Sequence, residues 1–189
     1  MPGGGLPVAD GDAVVPVINR IAPRFANVVL TQYWPPADHV SFAVNYPGRQ
    51  PFDSIRLPYG EQVLWPTHCV QGTRDAALHD GLRVDHAQLI IRKGFRREID
   101  SYSAFVEADR RTTTGLAAYL QARGIRRLFL CGLATDYCVA WSALDARAAG
   151  FSATVIEDAC RAIDLEGSLA RAWADMAAAG VGRIRSDQI

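Results

Sequence analysis

Apolar side chains recur along the chain in two kinds of register. Val14, Val17, Ile18 and Ile21 fall at helical spacing within residues 12–24, which predicts a helix there, with Asp10 or Asp12 as its cap. Asn27-Val-Val-Leu-Thr31 is a short unbroken run of β-formers and predicts a buried strand. Ala87 to Arg92 predicts a second strand, and Arg127 to Cys131 a third, with a helix at Gly115 to Arg123 that places Leu116 and Leu120 on one face. Val139, Ala140, Leu144 and Ala148 then form a helical stripe within Asp136 to Ala149. Ala153 to Ile156 predicts a fourth strand, Leu165 to Ala179 a helix ended by Gly180, and Val181 to Ile184 a last short strand. Strands alternating with helices of about 10–15 residues imply an α/β fold, a parallel sheet with helices on both faces. Ligands in such sheets bind beyond the carboxyl ends of the strands, which directs attention to the residues after Thr31, Ile91 and Cys131. Residues 32–85 are rich in Pro, Gly, Trp and Tyr and show little periodicity; a stretch of that length inside a domain is often functional.

Length and charge narrow the picture further. The 189 residues suit a single domain spanning 1–189. Twenty basic and twenty acidic residues cancel, so no global field favours nucleic acid or an anionic membrane. No run approaches the roughly 18 apolar residues of a membrane helix, and a cytoplasmic protein is expected. Cys69, Cys131, Cys138 and Cys160 are scattered with no CxxC pair, which argues against a zinc ribbon or a dithiol redox motif and for free thiols.

Three segments carry candidate chemistry. Gly132-Leu-Ala-Thr-Asp-Tyr-Cys138 reads as a strand end, a tight turn and a thiol in the first turn of a helix. The partial positive charge of a helix N-terminus favours an anionic sulfur, and the amides there can hold an oxyanion. The same pattern also describes a small residue packing a helix onto a sheet. Arg92-Lys93-Gly94 brings an amine to the same edge, where an ammonium would help hold a thiolate. Trp65-Pro-Thr-His68-Cys-Val-Gln-Gly-Thr73 looks like one wall of a pocket, or equally a loop anchored by its Trp. Thr31 to Phe42 leaves the first strand carrying His39. Two histidines from two loops could share a metal, but catalytic zinc typically takes about three protein ligands.

Taken together, TQ-x-W-x-P-x-x-HVSF (31–42), WPTHCVQGT (65–73), IRKG (91–94), DSYSAF (100–105) and GLATDYCV (132–139) resemble the nicotinamidase/pyrazinamidase branch of the isochorismatase-like hydrolases, in that family's order across nearly the whole chain. The resemblance implies a three-layer, Rossmann-like domain. It also implies an amidase that converts nicotinamide and similar aromatic carboxamides to the acid and ammonia through a cysteine acyl-enzyme, in NAD salvage. Cys138 would be the nucleophile, Lys93 its partner, Ala134 and Thr135 part of the cis-peptide turn with its oxyanion hole, and Trp65 and Tyr102 the walls around the ring. The family's divalent metal (Zn, Fe or Mn) would fall to His39 and His68, but its other two ligand positions are Tyr33 and Pro35 here, which makes metal binding doubtful. The family's general-base aspartate sits on a first central strand followed by a Gly-rich loop. Met1-Pro-Gly-Gly-Gly-Leu-Pro7 resembles that loop, so the strand is expected to be missing and the reading frame to extend upstream. Expected partners are a small aromatic carboxamide and, in a homo-oligomer, other copies of the chain; no nucleic acid and no membrane is expected. Two other readings stand beside the amidase: an impaired relative that binds aromatic amides without turnover, and a metal-independent isochorismatase-like hydrolase.

Overall fold

A computed structural model describes residues 3–189. The first helix, α1 (Val14–Ile21), places Pro16 in its first turn, where a missing N–H leaves no hydrogen bond unmade. Neither Asp10 nor Asp12 caps it; the chain enters through a tight turn at Gly11–Ala13 held by backbone bonds, Gly11 N to Val8 O and Ala13 N to Asp10 O. Strand β1 (Val29–Tyr33) follows and runs two residues past the predicted end. The long stretch after it is not all loop. β2 (Ser54–Leu57) and β3 (Gly60–Val63) pair antiparallel as a hairpin around Pro58-Tyr59, with Gly60 supplying a φ of 130° at the turn.

β4 (Leu89–Lys93) pairs parallel with β1, and α2 (Leu116–Ala122) buries the expected Leu116 and Leu120. β5 (Arg127–Leu133) continues past Cys131 because a bulge between Leu130 and Gly132 keeps it paired with its neighbour. That neighbour, β6 (Ser152–Arg161), is much longer than predicted. Glu157 and Asp158 interrupt its apolar pattern, but the Asp158 carboxylate accepts from the Ser186 N–H at 2.7 Å and its hydroxyl at 2.6 Å, so the charge is satisfied within the strand. α3 (Ala140–Ala148) begins four residues after the predicted start. Thr135–Val139 ahead of it forms a π turn in which the Val139 amide reaches back to Ala134 O. α4 (Ser168–Ala178) and β7 (Gly182–Ile184) complete the chain, β7 pairing parallel with β6.

Successive side chains of β6 serve opposite layers. Val155 joins the core formed with Leu116, Leu120, Ala143 and Met176, while Ile156 joins Ile21 of α1 on the other face. Full burial of Val155 and Met176 contributes about 1.5–3 kcal/mol each. Helices therefore lie on both faces of parallel strands, as predicted. The sheet is divided where a central strand was expected to be missing. β4–β1 and β5–β6–β7 are separate parallel sheets, since no described strand lies between β1 and β5. Their facing edges border a cleft of about 1050 Å³, walled by Val14 and Ile18 of α1 on one side and Leu116 and Leu120 on the other, with Cys138 also on its lining.

Glu107 is 1% exposed, and its Oε2 makes no hydrogen bond; the Arg96 guanidinium approaches it at 3.6 Å. Burial pushes its carboxyl up to about 7, against the opposing pull of Arg96. A carboxyl raised in the folded state favours the protonated form, so stability is greatest below the unfolded value near 4.5 and falls as pH rises towards 7. Glu107→Gln is expected to stabilise the protein by up to about 3 kcal/mol at pH 8 and to change little at pH 4, as read by urea denaturation at the two pH values.

Candidate active site

The carboxyl ends of β4 and β5 bring the two central candidates together. Lys93 is the last residue of β4, 2% exposed, and its Nζ lies 3.2 Å from Cys138 Sγ. The ammonium also donates to the backbone carbonyls of Ser101, at 3.0 Å, and Tyr102. Three acceptors account for its three N–H groups, and one of the three is the sulfur. Cys138 is half-buried in the π turn that follows β5, and the Leu133–Ala134 peptide that starts the turn is cis. Three side chains fix this turn. The buried Asp136 carboxylate accepts from the amides of Ile163 and Asp164 and from the Ser168 hydroxyl. Ser142 donates to Cys138 O at 2.6 Å and accepts from the Ala104 amide at 2.9 Å, tying the nucleophile turn to the 101–105 segment. Thr135, the first residue of the turn, is buried at 3% exposure.

The other thiols lack this environment. Burial pushes Cys69 up to about 12, with the negative Asp75 adding to it, while Cys131 is exposed on the lining of the cleft and meets no ammonium among the described residues. Cys160 is buried and is raised further still by the same cause. Of the four free cysteines, Cys138 is the one in contact with an ammonium.

Trp65 and Tyr102 stand beside this pair. The indole Nε1–H donates to Tyr102 OH at 2.9 Å, and the rings meet edge to face at 6.1 Å. Tyr137, which the sequence reading passed over although it adjoins Cys138, completes the cluster at 4.8 Å from Trp65 and 5.5 Å from Tyr102. Trp65 is 3% exposed, and none of the three rings lies on the lining of the cleft that reaches Cys138.

The histidines sit in a buried polar network. His39 is fully buried; its Nδ1 accepts from the Ser41 amide at 3.2 Å and meets the Ser41 hydroxyl at 2.7 Å, while its Nε2 faces Ile99 O at 3.2 Å. A ring that accepts at Nδ1 and donates at Nε2 has no lone pair left over. His68 donates from Nδ1 to Pro66 O at 2.8 Å. Burial holds both imidazoles below their usual range, so both are neutral at pH 7. Tyr33 lies between them, stacked on His68 at 5.2 Å and edge-on to His39 at 6.1 Å, with its hydroxyl donating to Asp100 at 2.7 Å. Burial and the negative Asp100 push this phenol well above its ordinary value. Pro35 is fully buried and offers no donor atom. Among the described residues, no group of three or more His, Cys, Asp or Glu is placed to hold a metal ion. The donor set does not fit the divalent metal that the resemblance implies.

Asp100 is the other residue the sequence reading missed. Its carboxylate is fully buried and accepts from Tyr33, from Gln62 Nε2 at 2.7 Å and from the Ser101 amide at 2.8 Å. It thus anchors the segment whose carbonyls hold Lys93. Its place in DSYSAF was the available signal.

The isochorismatase domain family matches residues 2–188. The chain is 60% identical to a nicotinamidase of Acinetobacter baylyi over 188 residues, which is 100% of this chain and 88% of that protein. The chain belongs to the nicotinamidase branch of the isochorismatase family. Solved structures of the branch include a nicotinamidase/pyrazinamidase from Acinetobacter baumanii, at TM-score 0.99 and 59% identity over 100% of this chain and 91% of that one. A pyrazinamidase of Pyrococcus horikoshii in complex with zinc superposes at TM-score 0.78 with 33% identity, covering 98% and 92% of the two chains. The nicotinamidase branch thus contains a zinc-bound structure, whereas Tyr33 and Pro35 stand at two of the positions where the resemblance puts metal ligands.

Proposed function

We propose that the chain is an amidase that cleaves nicotinamide, and similar aromatic carboxamides such as pyrazinamide, to the acid and ammonia in NAD salvage. The observation that carries this reading is the 3.2 Å contact between the buried Lys93 ammonium and the Cys138 sulfur at the end of two parallel strands. The Cys138 sulfur, held at the Lys93 Nζ, attacks the amide carbon. Backbone amides of the turn, at Ala134 and Cys138, face the oxyanion that develops, and removing one such donor typically costs about 10²–10³ in rate. The proton that the Cys138 thiol gives up as it attacks passes to the amide nitrogen, which leaves as ammonia and a thioester on Cys138; water then adds to the thioester carbon, releasing the acid and returning a proton to the sulfur. The resemblance assigns Trp65 and Tyr102 to hold the ring, and Tyr137 packs against both. No step is routed through a metal.

Ammonia release from a panel of amides tests the proposal. Nicotinamide and pyrazinamide are expected to be turned over, and an aliphatic amide of similar size to be poor because it cannot stack on the aromatic wall. Saturable nicotinamide binding by calorimetry with no ammonia released would instead support a binding protein. Equal rates on aromatic and aliphatic amides would remove the assigned role of Trp65 and Tyr102.

A further inference from the structure

We propose that Tyr33 occupies the place where the metal-using relatives hold a divalent ion, and that its hydrogen bond to Asp100 organises this wall of the site without metal. The inference goes beyond the amidase reading and is tested independently of turnover.

Three observations converge on it. First, the lone pairs are already committed. His39 spends both ring nitrogens on Ser41 and Ile99, and His68 spends Nδ1 on Pro66 O, so the pair retains a single free nitrogen where catalytic zinc takes about three protein ligands. Second, the space between the histidines is filled by the Tyr33 ring, stacked on one and edge-on to the other. The backbone accommodates that ring: Gly94 has a φ of 65°, and a Cβ there would come within 2.3 Å of Tyr33 Cε2, so a side chain at 94 and a ring at 33 exclude one another. Third, the phenol has taken on a defined task. It donates to Asp100, whose carboxylate also accepts from Gln62 and from the Ser101 amide, and this segment provides the Ser101 and Tyr102 carbonyls that clamp Lys93 beside Cys138. Tyr33 is therefore a positioning residue that acts on the nucleophile pair through Asp100.

Metal analysis and thermal melting with added zinc decide the matter. The unaltered protein, purified from zinc-supplemented medium, is expected to carry substoichiometric metal and to keep its Tm when zinc is added. Tyr33→Asp combined with Pro35→His should restore ligand chemistry. That variant is expected to take up one metal per chain and to gain about 5–10 °C in Tm at zinc concentrations a hundredfold above Kd. One zinc per chain in the unaltered protein, or a zinc-dependent rise in its Tm, would overturn the proposal. So would a folded double variant that binds no more metal than the unaltered protein. Because neither readout needs catalysis, a failure of the amidase reading would leave both results interpretable.

Discussion

Cys138→Ala is expected to lower kcat for nicotinamide by about 10⁵–10⁶ while leaving the affinity for the amide within about twofold. The size follows from the role assigned to the sulfur. A nucleophile that forms the acyl intermediate has no partial substitute, and removing one typically leaves only the rate due to binding and the oxyanion donors. Alanine retains the turn, because what fixes it lies elsewhere: Asp136 on the 163–164 amides, and Ser142 on Cys138 O. Binding should survive if, as proposed, Trp65 and Tyr102 hold the ring, because alanine at 138 leaves both in place. Steady-state ammonia release alongside calorimetric titration of nicotinamide checks both halves. Activity within tenfold of the unaltered protein would remove Cys138 from the mechanism.

Lys93→Met should cost about 10²–10³ in kcat/KM, the range seen when one preorganised charge-stabilising donor is lost. Methionine fills the same channel with an apolar chain, so the loss reports the ammonium rather than a cavity. The carbonyls of Ser101 and Tyr102 would lose their donor, and each buried group left unpaired costs about 1–3 kcal/mol. A fall in stability should therefore accompany the kinetic loss. Lys93→Arg is not expected to rescue: a planar fork does not fit where a compact ammonium meets two carbonyls and a sulfur. The rate constants and urea midpoints of the two variants check the prediction, and full activity in Lys93→Met would contradict it.

The elements legible in the sequence were those with a clean period. α2 with Leu116 and Leu120, and β1 and β4 with their short apolar runs, fell close to where they were expected. Those that resisted were decided by contacts distant in sequence. β6 runs through Glu157 and Asp158 because Ser186, 28 residues beyond Asp158, satisfies one carboxylate and Arg183 pairs with the other. The hairpin of β2 and β3 lay hidden in a loop-like composition because each strand is only four residues long. The opening between β1 and β5 agrees with the missing strand that the resemblance of Met1–Pro7 to the family's Gly-rich loop implies.

At the site, the motifs pointed to Lys93 at the end of β4 and Cys138 in the turn after β5, and the two side chains lie 3.2 Å apart. Family resemblance supplied Trp65 and Tyr102, and the structure adds Tyr137 to them. Asp100 was not legible, because its importance lies in three hydrogen bonds, two of them to residues 38 and 67 positions away. The departures at Tyr33 and Pro35 were visible, but only the geometry shows that the tyrosine fills the space and takes over a hydrogen-bonding task.

The account rests on a covalent bond forming between substrate and one sulfur. Rapid mixing with nicotinamide, an acid quench within a turnover, and intact-mass and peptide analysis test this most directly. A single nicotinoyl adduct confined to the peptide that contains Cys138, and absent from Cys138→Ala, is the expected result. Turnover proceeding with no adduct at any time point, or with the adduct on Cys69, Cys131 or Cys160, would contradict it.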